Sequence, residues 1–258
     1  MHRLVFITGA SSGIGQALAW RYYQAGYELA LVARRGHAIQ RWADVMQLPA
    51  SRYRIYPADV ADMEDIVTAG QTCLAQQGVP DVVVANAGIS IGMDTAARED
   101  LAVLARTLAV NNVGLAATFH PFIEPMRRRG SGRLVGIASV AGIRGLPGHG
   151  AYCASKAGVI SYCESLRGEL RGSGIRVVTL SPGYIDTPLT RQNRYGMPFL
   201  MTAETFAEKA YRAIEHGVSY RVIPWQMGGV AKLLRLLPDA LFDRLLAGRP
   251  RKHRAPTD

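Results

Sequence analysis

Residues 4–15 read Leu4-Val5-Phe6-Ile7-Thr8-Gly9-Ala10-Ser11-Ser12-Gly13-Ile14-Gly15. Four consecutive apolar residues describe a strand covered on both faces, the pattern of a buried parallel sheet rather than of a half-solvated one. A helical pattern then runs through Ala17, Leu18 and Trp20 to Gly26, which is placed to close the helix as its C-cap. Strand, glycine-rich turn and helix form the grammar of a phosphate-binding unit. The glycines permit a tight turn and a close backbone approach, and the free N–H groups of the helix start favour an anion. The spacing G-x-x-x-G-x-G departs from the dinucleotide fingerprint G-x-G-x-x-G, so the turn taken alone leaves an ordinary strand-to-helix connection open.

The chain on either side supplies the context. A second strand over residues 28–33 ends in Arg34-Arg35, roughly where a dinucleotide-binding unit would place an acidic residue for a ribose 2′-hydroxyl. No carboxylate stands there. Two guanidiniums are suited to a 2′-phosphate instead, which favours NADP(H) while leaving NAD(H) possible. Residues 37–48 predict a helix stopped by Pro49, residues 53–56 a short strand, residues 62–77 a helix, and residues 81–85 a fourth apolar strand. Asp59, at the end of the third strand beside Val60, is placed to meet an adenine amino group or to cap the next helix. Asn86-Ala87-Gly88 is a turn whose Asn either ties neighbouring strands together or contacts a cofactor. The alternation of strands and helices argues for a parallel sheet with helices on both faces.

Residues 99–129 read as helical, with Gly114 inside and Pro121 and Pro125 expected to bend or break the helix. Asn111 lies mid-helix, where an Asn more often has a packing or local hydrogen-bonding role. The fifth strand, 133–139, delivers Ser139 at its carboxyl end, the side on which open α/β sheets bind ligands. A glycine-rich loop, 142–150, leads into a helix carrying Tyr152 and Lys156, which stand four apart and so share one face. A cation beside a phenol favours the phenolate, so the pair suits proton transfer, and a second positive charge would help. Residues 176–181 make a sixth strand and residues 220–223 a seventh, after a helix over 202–216 with Thr202 as its N-cap.

Composition narrows the class. The 258 residues are 48% hydrophobic, ample for one large α/β domain, and carry a net charge of +10. The basic residues are scattered apart from Arg127-Arg128-Arg129 and the tail 249–254, with no aromatic-basic interleaving, which argues against nucleic acid. Cys73, Cys153 and Cys163 show neither a disulfide framework nor zinc spacing, and His120 and His149 have no ligand-spaced partners, so no metal is indicated and a reducing compartment fits. No signal peptide and no apolar run of membrane-spanning length is read, so the chain is expected to be cytoplasmic.

With residues 8–15, Asn86-Ala87-Gly88, Asn111, Ser139, Tyr152, Lys156 and Pro182-Gly183 in this order, the chain resembles the short-chain dehydrogenase/reductase family, most strongly over residues 4–187. The resemblance implies a single-domain Rossmann-type α/β fold, a doubly wound parallel sheet of seven strands in the order 3-2-1-4-5-6-7. It implies hydride transfer between NAD(P) and a carbonyl or alcohol. Tyr152 is then the acid/base, Ser139 polarises the substrate oxygen, Lys156 lowers the Tyr152 pKa and binds the nicotinamide ribose, and Asn111 holds a water that links Lys156 to solvent. The cofactor would be held by Gly9, Ser11, Ser12, Gly13, Ile14 and Gly15, by Arg34 and Arg35, by Asp59 and Val60, by Asn86, Ala87 and Gly88, and by Tyr152, Lys156, Pro182, Gly183, Ile185 and Thr187. Ser12 stands where NADP-binding relatives often carry a basic residue, which leaves Arg34 and Arg35 as the cations for the 2′-phosphate.

Residues 1–224 therefore make the cofactor and catalytic unit, with residues 189–201 as a lid whose Tyr195, Met197, Phe199, Leu200 and Met201 suit an apolar substrate. Ser139, Tyr152, Tyr184 and Leu189 are the expected substrate contacts. Residues 225–258 extend the same domain with an apolar stripe, Val230, Leu233, Leu234, Leu237, Leu241, Leu245 and Leu246, interrupted by Pro238 and followed by the basic tail. Packing on a neighbouring subunit, as a homodimer or homotetramer, or over the substrate mouth is favoured over contact with a membrane surface. The expected activity is NADP(H)-dependent reduction of a carbonyl group, and the alternative is a catalytically idle dinucleotide sensor or scaffold on the same fold.

Overall fold

The computed structural model describes residues 3–193, 195–248, 252 and 254. Its elements, in chain order, are β1 (Leu4–Thr8), α1 (Gly13–Gln24), β2 (Glu28–Val32), α2 (Gly36–Val45), β3 (Tyr53–Tyr56), α3 (Met63–Gln76), β4 (Val82–Ala85), α4 (Asp100–Leu108), α5 (Gly114–Arg129), β5 (Gly132–Ile137), α6 (Gly150–Glu169), β6 (Ile175–Pro182), β7 (Ile185–Asp186), β8 (Met201–Thr202), α7 (Ala203–Glu215), β9 (Tyr220–Ile223), α8 (Trp225–Leu236) and α9 (Asp239–Leu246). Seven strands form one parallel sheet in the order β3-β2-β1-β4-β5-β6-β9, the expected topology. β7 and β8 pair separately as a short two-stranded ladder.

Successive strand residues point to opposite faces, and β1 shows what that does with four apolar side chains in a row. Val5 and Ile7 enter the core beneath α1, α2 and α7, while Leu4 and Phe6 enter the core beneath α3, α5 and α6. Both faces are covered, so the run needed no polar alternation. Strand order reverses between β1 and β4, which run parallel, and their carboxyl ends lie side by side there. Thr8 fixes that junction: its Oγ1 accepts from the Asn86 and Ala87 amides at 3.0 and 3.1 Å, and the Asn86 Nδ2 donates to the Thr8 carbonyl at 3.0 Å. Asn86 thus ties neighbouring strands, the structural option foreseen for it.

Three elements differ from expectation. α2 ends at Val45, short of Leu48, because Gln47 turns to φ +52° and sends Leu48 back into the core. The helix after β3 is capped by Asp62, whose carboxylate accepts from Glu64 and Asp65, so Asp59 is not the cap. The prolines do not break the third-layer helix: α5 runs through Pro121 and Pro125, and the Pro121 ring sits where Gly70 of α3 leaves room for it. The irregularity falls earlier, in a π-helical turn over Ala109–Val113 that holds Asn111. By length and composition the helical run 100–129 meets the requirement for crossing a membrane, yet its Phe119, Phe122 and Met126 are fully buried in the sheet's core.

Candidate active site

The site is built at the carboxyl ends of the strands, where sheet order reverses. Immediately after β1 the chain turns through Gly13, whose φ of +56° is left-handed and whose missing side chain admits Thr187 from the segment after β7. Gly15 permits the closest approach: a Cβ there would stand 2.3 Å from the Gly9 carbonyl oxygen and 2.6 Å from the Asn86 amide nitrogen. Ser12 begins α1 without a capping bond from its side chain, and the first turn carries no acidic residue. Those amides are therefore free to face an anion, which is the fit a dinucleotide pyrophosphate requires.

A single cleft runs from this turn to the start of α6. Its wall includes Gly9, Ser11, Ser12, Gly13, Ile14, Arg34, Arg35, Asp59, Val60, Asn86, Ala87, Gly88, Ser139, Tyr152, Lys156, Pro182, Gly183, Ile185, Thr187 and Leu189. Gly15, Asn111 and Tyr184, also expected at the site, lie outside that wall. Gly15 supports the turn from behind, and Tyr184 meets Tyr195 edge-on with ring centroids 6.2 Å apart. Asn111 is buried, and its side chain is taken up by neighbours: Oδ1 accepts from the Ile89 amide at 2.9 Å, and Nδ2 donates to the Ile89 carbonyl at 3.0 Å and to Ser155 Oγ at 2.8 Å. It still stands beside Lys156, since a Cβ on Gly88 would lie 3.2 Å from Asn111 Oδ1 and 3.4 Å from Lys156 Nζ.

At the inner end, Ser139 follows β5 and Tyr152 opens α6, and both line the cleft, with the Ser139 hydroxyl near enough to the phenol to oppose the rise in its pKa. Lys156 lies one turn along, its Nζ donating to the Ile137 carbonyl at 2.8 Å and standing 5.7 Å from the centre of the Tyr152 ring. A hydroxyl pair with a buried ammonium behind it can hold a carbonyl oxygen and exchange a proton with it.

Comparison with known proteins agrees with this arrangement. The sequence model of the family described as short chain dehydrogenase matches residues 3–197. The chain is 36% identical over 242 residues to an uncharacterised oxidoreductase of Myxococcus xanthus, covering 94% of this chain and 95% of that one. The chain belongs to the short-chain dehydrogenase family. Among solved structures it is similar to an alcohol dehydrogenase of the archaeon Thermococcus sibiricus complexed with 5-hydroxy-NADP, with a TM-score of 0.76, 26% identity, and coverage of 86% of this chain and 96% of that one. It also superposes on a short-chain dehydrogenase/reductase of Burkholderia phymatum complexed with NAD, with a TM-score of 0.81, 23% identity, and coverage of 100% and 97%. As a short-chain dehydrogenase the protein is an oxidoreductase that uses a nicotinamide dinucleotide.

The electrostatics of this short-chain dehydrogenase run against one expectation. Burial pushes the Tyr152 phenol above its usual value, and the Ser139 hydroxyl only partly opposes that. The Lys156 ammonium is turned to the Ile137 carbonyl and stands 5.7 Å from the centre of the ring, and burial is the largest influence on the phenol. Burial also lowers Lys156, to about 8. Desolvation thus disfavours both charged forms, and the pair is set to be activated by a further positive charge at the site.

Arg106 and the contact between His149 and Tyr195 escaped the sequence reading. Arg106 of α4 joins the wall next to Ala61 and Val110, and no local pattern marks it out, since an Arg on a helix surface is ordinary. Outside that wall His149 and Tyr195 meet, Nε2 to hydroxyl at 3.3 Å, with rings 5.8 Å apart. They are 46 residues apart in sequence, so only the fold brings them together.

Proposed function

We propose that the protein is an NADP(H)-dependent carbonyl reductase, able to run as an alcohol dehydrogenase, acting on a substrate with a substantial apolar body. The observation that carries this reading is a cleft with the Ser139–Tyr152 hydroxyl pair at one end and two guanidiniums, Arg34 and Arg35, at the other. Arg34 is 59% exposed on its side chain and pairs with Asp59 at 3.7 Å, a contact long and wet enough to give way to a phosphate. The NADP-type ligand of the Thermococcus relative supports the same preference. Leu189, Phe199 and Leu200, exposed at 40, 51 and 50%, give the segment beyond the cleft the apolar character that motivates the substrate reading.

A nicotinamide cofactor held by the cleft residues would supply the hydride and, once oxidised, a positive charge that favours the Tyr152 phenolate. Ser139 Oγ holds the substrate carbonyl oxygen by a hydrogen bond, and Tyr152 Oη gives that oxygen its proton. Lys156, which titrates at about 8 and is largely charged at neutral pH, favours the phenolate left behind and resupplies it. Asn111 is proposed to complete the relay by ordering a water beside Lys156. The three unpaired, buried cysteines are in keeping with a reducing cytoplasmic setting.

The test is NADPH oxidation against a panel of apolar ketones. Tyr152→Phe is expected to lower turnover by ~10²–10⁴-fold with NADPH still bound, the range for loss of a general acid. Undiminished turnover in a variant that binds cofactor would sink the assignment. Arg34→Ala with Arg35→Ala is expected to weaken NADPH by ~10–100-fold and NADH far less, in line with the loss of charge-assisted hydrogen bonds. Equal losses for both cofactors would refute the 2′-phosphate role.

A further inference from the structure

Outside the cleft wall, Tyr195 stands beside Tyr184, with ring centroids 6.2 Å apart, and near enough to Tyr152 to feel its charge, and it belongs to a second cluster of polar groups. His149 is buried, with its Nδ1 3.2 Å from the Pro147 carbonyl and its Nε2 3.3 Å from the Tyr195 hydroxyl. The first contact fixes the proton on Nδ1, so Nε2 accepts from Tyr195, and burial lowers the ring's pKa and keeps it neutral. Lys252, from the C-terminal segment, stands close enough to His149 for its charge to lower that pKa further. Its ammonium donates to Asn193 Oδ1 at 3.3 Å, a long bond to a neutral acceptor.

Among the described residues no carboxylate pairs with Lys252. The other cations of this region are already engaged: Arg191 with Asp186 at 2.7 Å, and Arg254 with Asp100 at 2.7 Å and Glu99 at 2.9 Å. Asp100 is itself buried, and the backbone of Arg254 is bridged to Gly92. Lys252 is two residues from this anchor and so lies within about 7 Å of it along the chain. It is thus a fastened, partly buried ammonium whose hydrogen-bond partner among the described residues is neutral. Such a charge is costly unless something of opposite sign completes it.

We propose that Lys252 receives an anionic group on the substrate, remote from the carbonyl that Ser139 and Tyr152 hold, and that the preferred substrates are amphipathic oxo acids. A carboxylate, a phosphate or a sulfonate would share this chemistry. The apolar body then lies between the two polar ends, against Tyr184, Tyr195 and the lid. This reading rests on the carbonyl-reductase function proposed above, and it adds the substrate's charge. It also gives the basic charge balance of the chain a specific use at the substrate end.

Equilibrium binding separates the two proposals, because it needs no turnover. 3-Benzoylpropanoate and its methyl ester would be titrated calorimetrically into the NADP⁺-loaded protein and into Lys252→Met and Lys252→Arg. The acid is expected to bind ~10-fold or more tightly than the ester in the parent, as one charge-assisted hydrogen bond would give. Lys252→Met should bring the ratio near one, and Lys252→Arg should keep most of it. Equal affinities in the parent, an unchanged ratio in Lys252→Met, or no binding of either compound would overturn the proposal. A Lys252-dependent preference with NADPH oxidation insensitive to Tyr152→Phe would instead leave Lys252 standing and remove the reductase reading. Phenyl phosphate and benzenesulfonate, tested as competitors of the acid, would distinguish which anion is received.

Discussion

Lys156 is 5% exposed and has a backbone carbonyl as its hydrogen-bond partner, so in the protein alone its charge is held at a cost. Its pKa falls from 10.5 to about 8, which corresponds to roughly 3 kcal/mol against the folded, protonated state. The sign follows directly: the unfolded chain binds the proton more tightly, so the penalty is full below pH 8 and is relieved as pH rises from about 8 towards 10.5. Lys156→Met should therefore stabilise the cofactor-free protein at pH 7 by ~2 kcal/mol, after about 1 kcal/mol for the lost hydrogen bond. Scanning calorimetry should show Tm raised by roughly 4–8 °C, with the gain shrinking above pH 8. A Tm unchanged or lowered at pH 7 would contradict this account. Spacing placed Tyr152 and Lys156 on one face, but it could not reveal that burial, the larger influence, pushes the phenol up rather than down.

The glycine turn and the helix behind it act as one element, because β1 and α1 meet through atoms with no room between them. A Cβ on Gly15 would stand 2.3 Å from the Gly9 carbonyl oxygen, which is backbone and cannot swing aside. Gly15→Ala must displace the turn or the helix start, and it is expected to cost ~1–3 kcal/mol of stability, as overpacking does. NADPH affinity should fall more steeply than stability, since the first-turn amides lose their aim at the phosphates. Thermal melts and cofactor fluorescence titration of the same sample would check both, and wild-type affinity in Gly15→Ala would contradict the close-approach argument. At this scale much was legible in the sequence: β3 and β9 have the bounds expected of them, and Thr202 caps α7 through the Thr205 amide. The turn at Ala109–Val113 was not, because a π-helical turn inserts a residue without changing residue type. The proline rule failed at Pro121 because tolerance there depends on Gly70, a residue of another helix.

Over the whole molecule, the C-terminal helices are fastened by a residue of the catalytic loop. Arg144 lies between Ser139 and Tyr152, and its guanidinium donates to the Leu234 and Leu237 carbonyls and to Asp239 while resting 3.7 Å from the centre of the Phe242 ring. Met227, Ala231 and Phe242 of these helices are buried. Much of the expected stripe is left outward, with Leu233, Leu241 and Leu245 exposed at 64, 53 and 45%, joined by Leu236 at 81% and Trp225 at 75%. A sequence stripe shows that a helix has an apolar face, not which face the fold will cover. Exposed large apolar side chains gathered on two neighbouring helices suit an interaction site, and the charges among them distinguish the partners. Lys232, Arg235 and Arg244 are interleaved with Asp239 and Asp243, a mixture that suits self-complementary contact between two copies better than an anionic bilayer. Sedimentation is accordingly expected to show a homodimer or homotetramer. Leu233→Glu with Leu236→Glu, both at exposed positions, should yield a monomer whose far-ultraviolet spectrum is unchanged. A parent that sediments as a monomer and pellets with phosphatidylserine vesicles, binding that the double variant loses, would assign the face to a membrane surface instead.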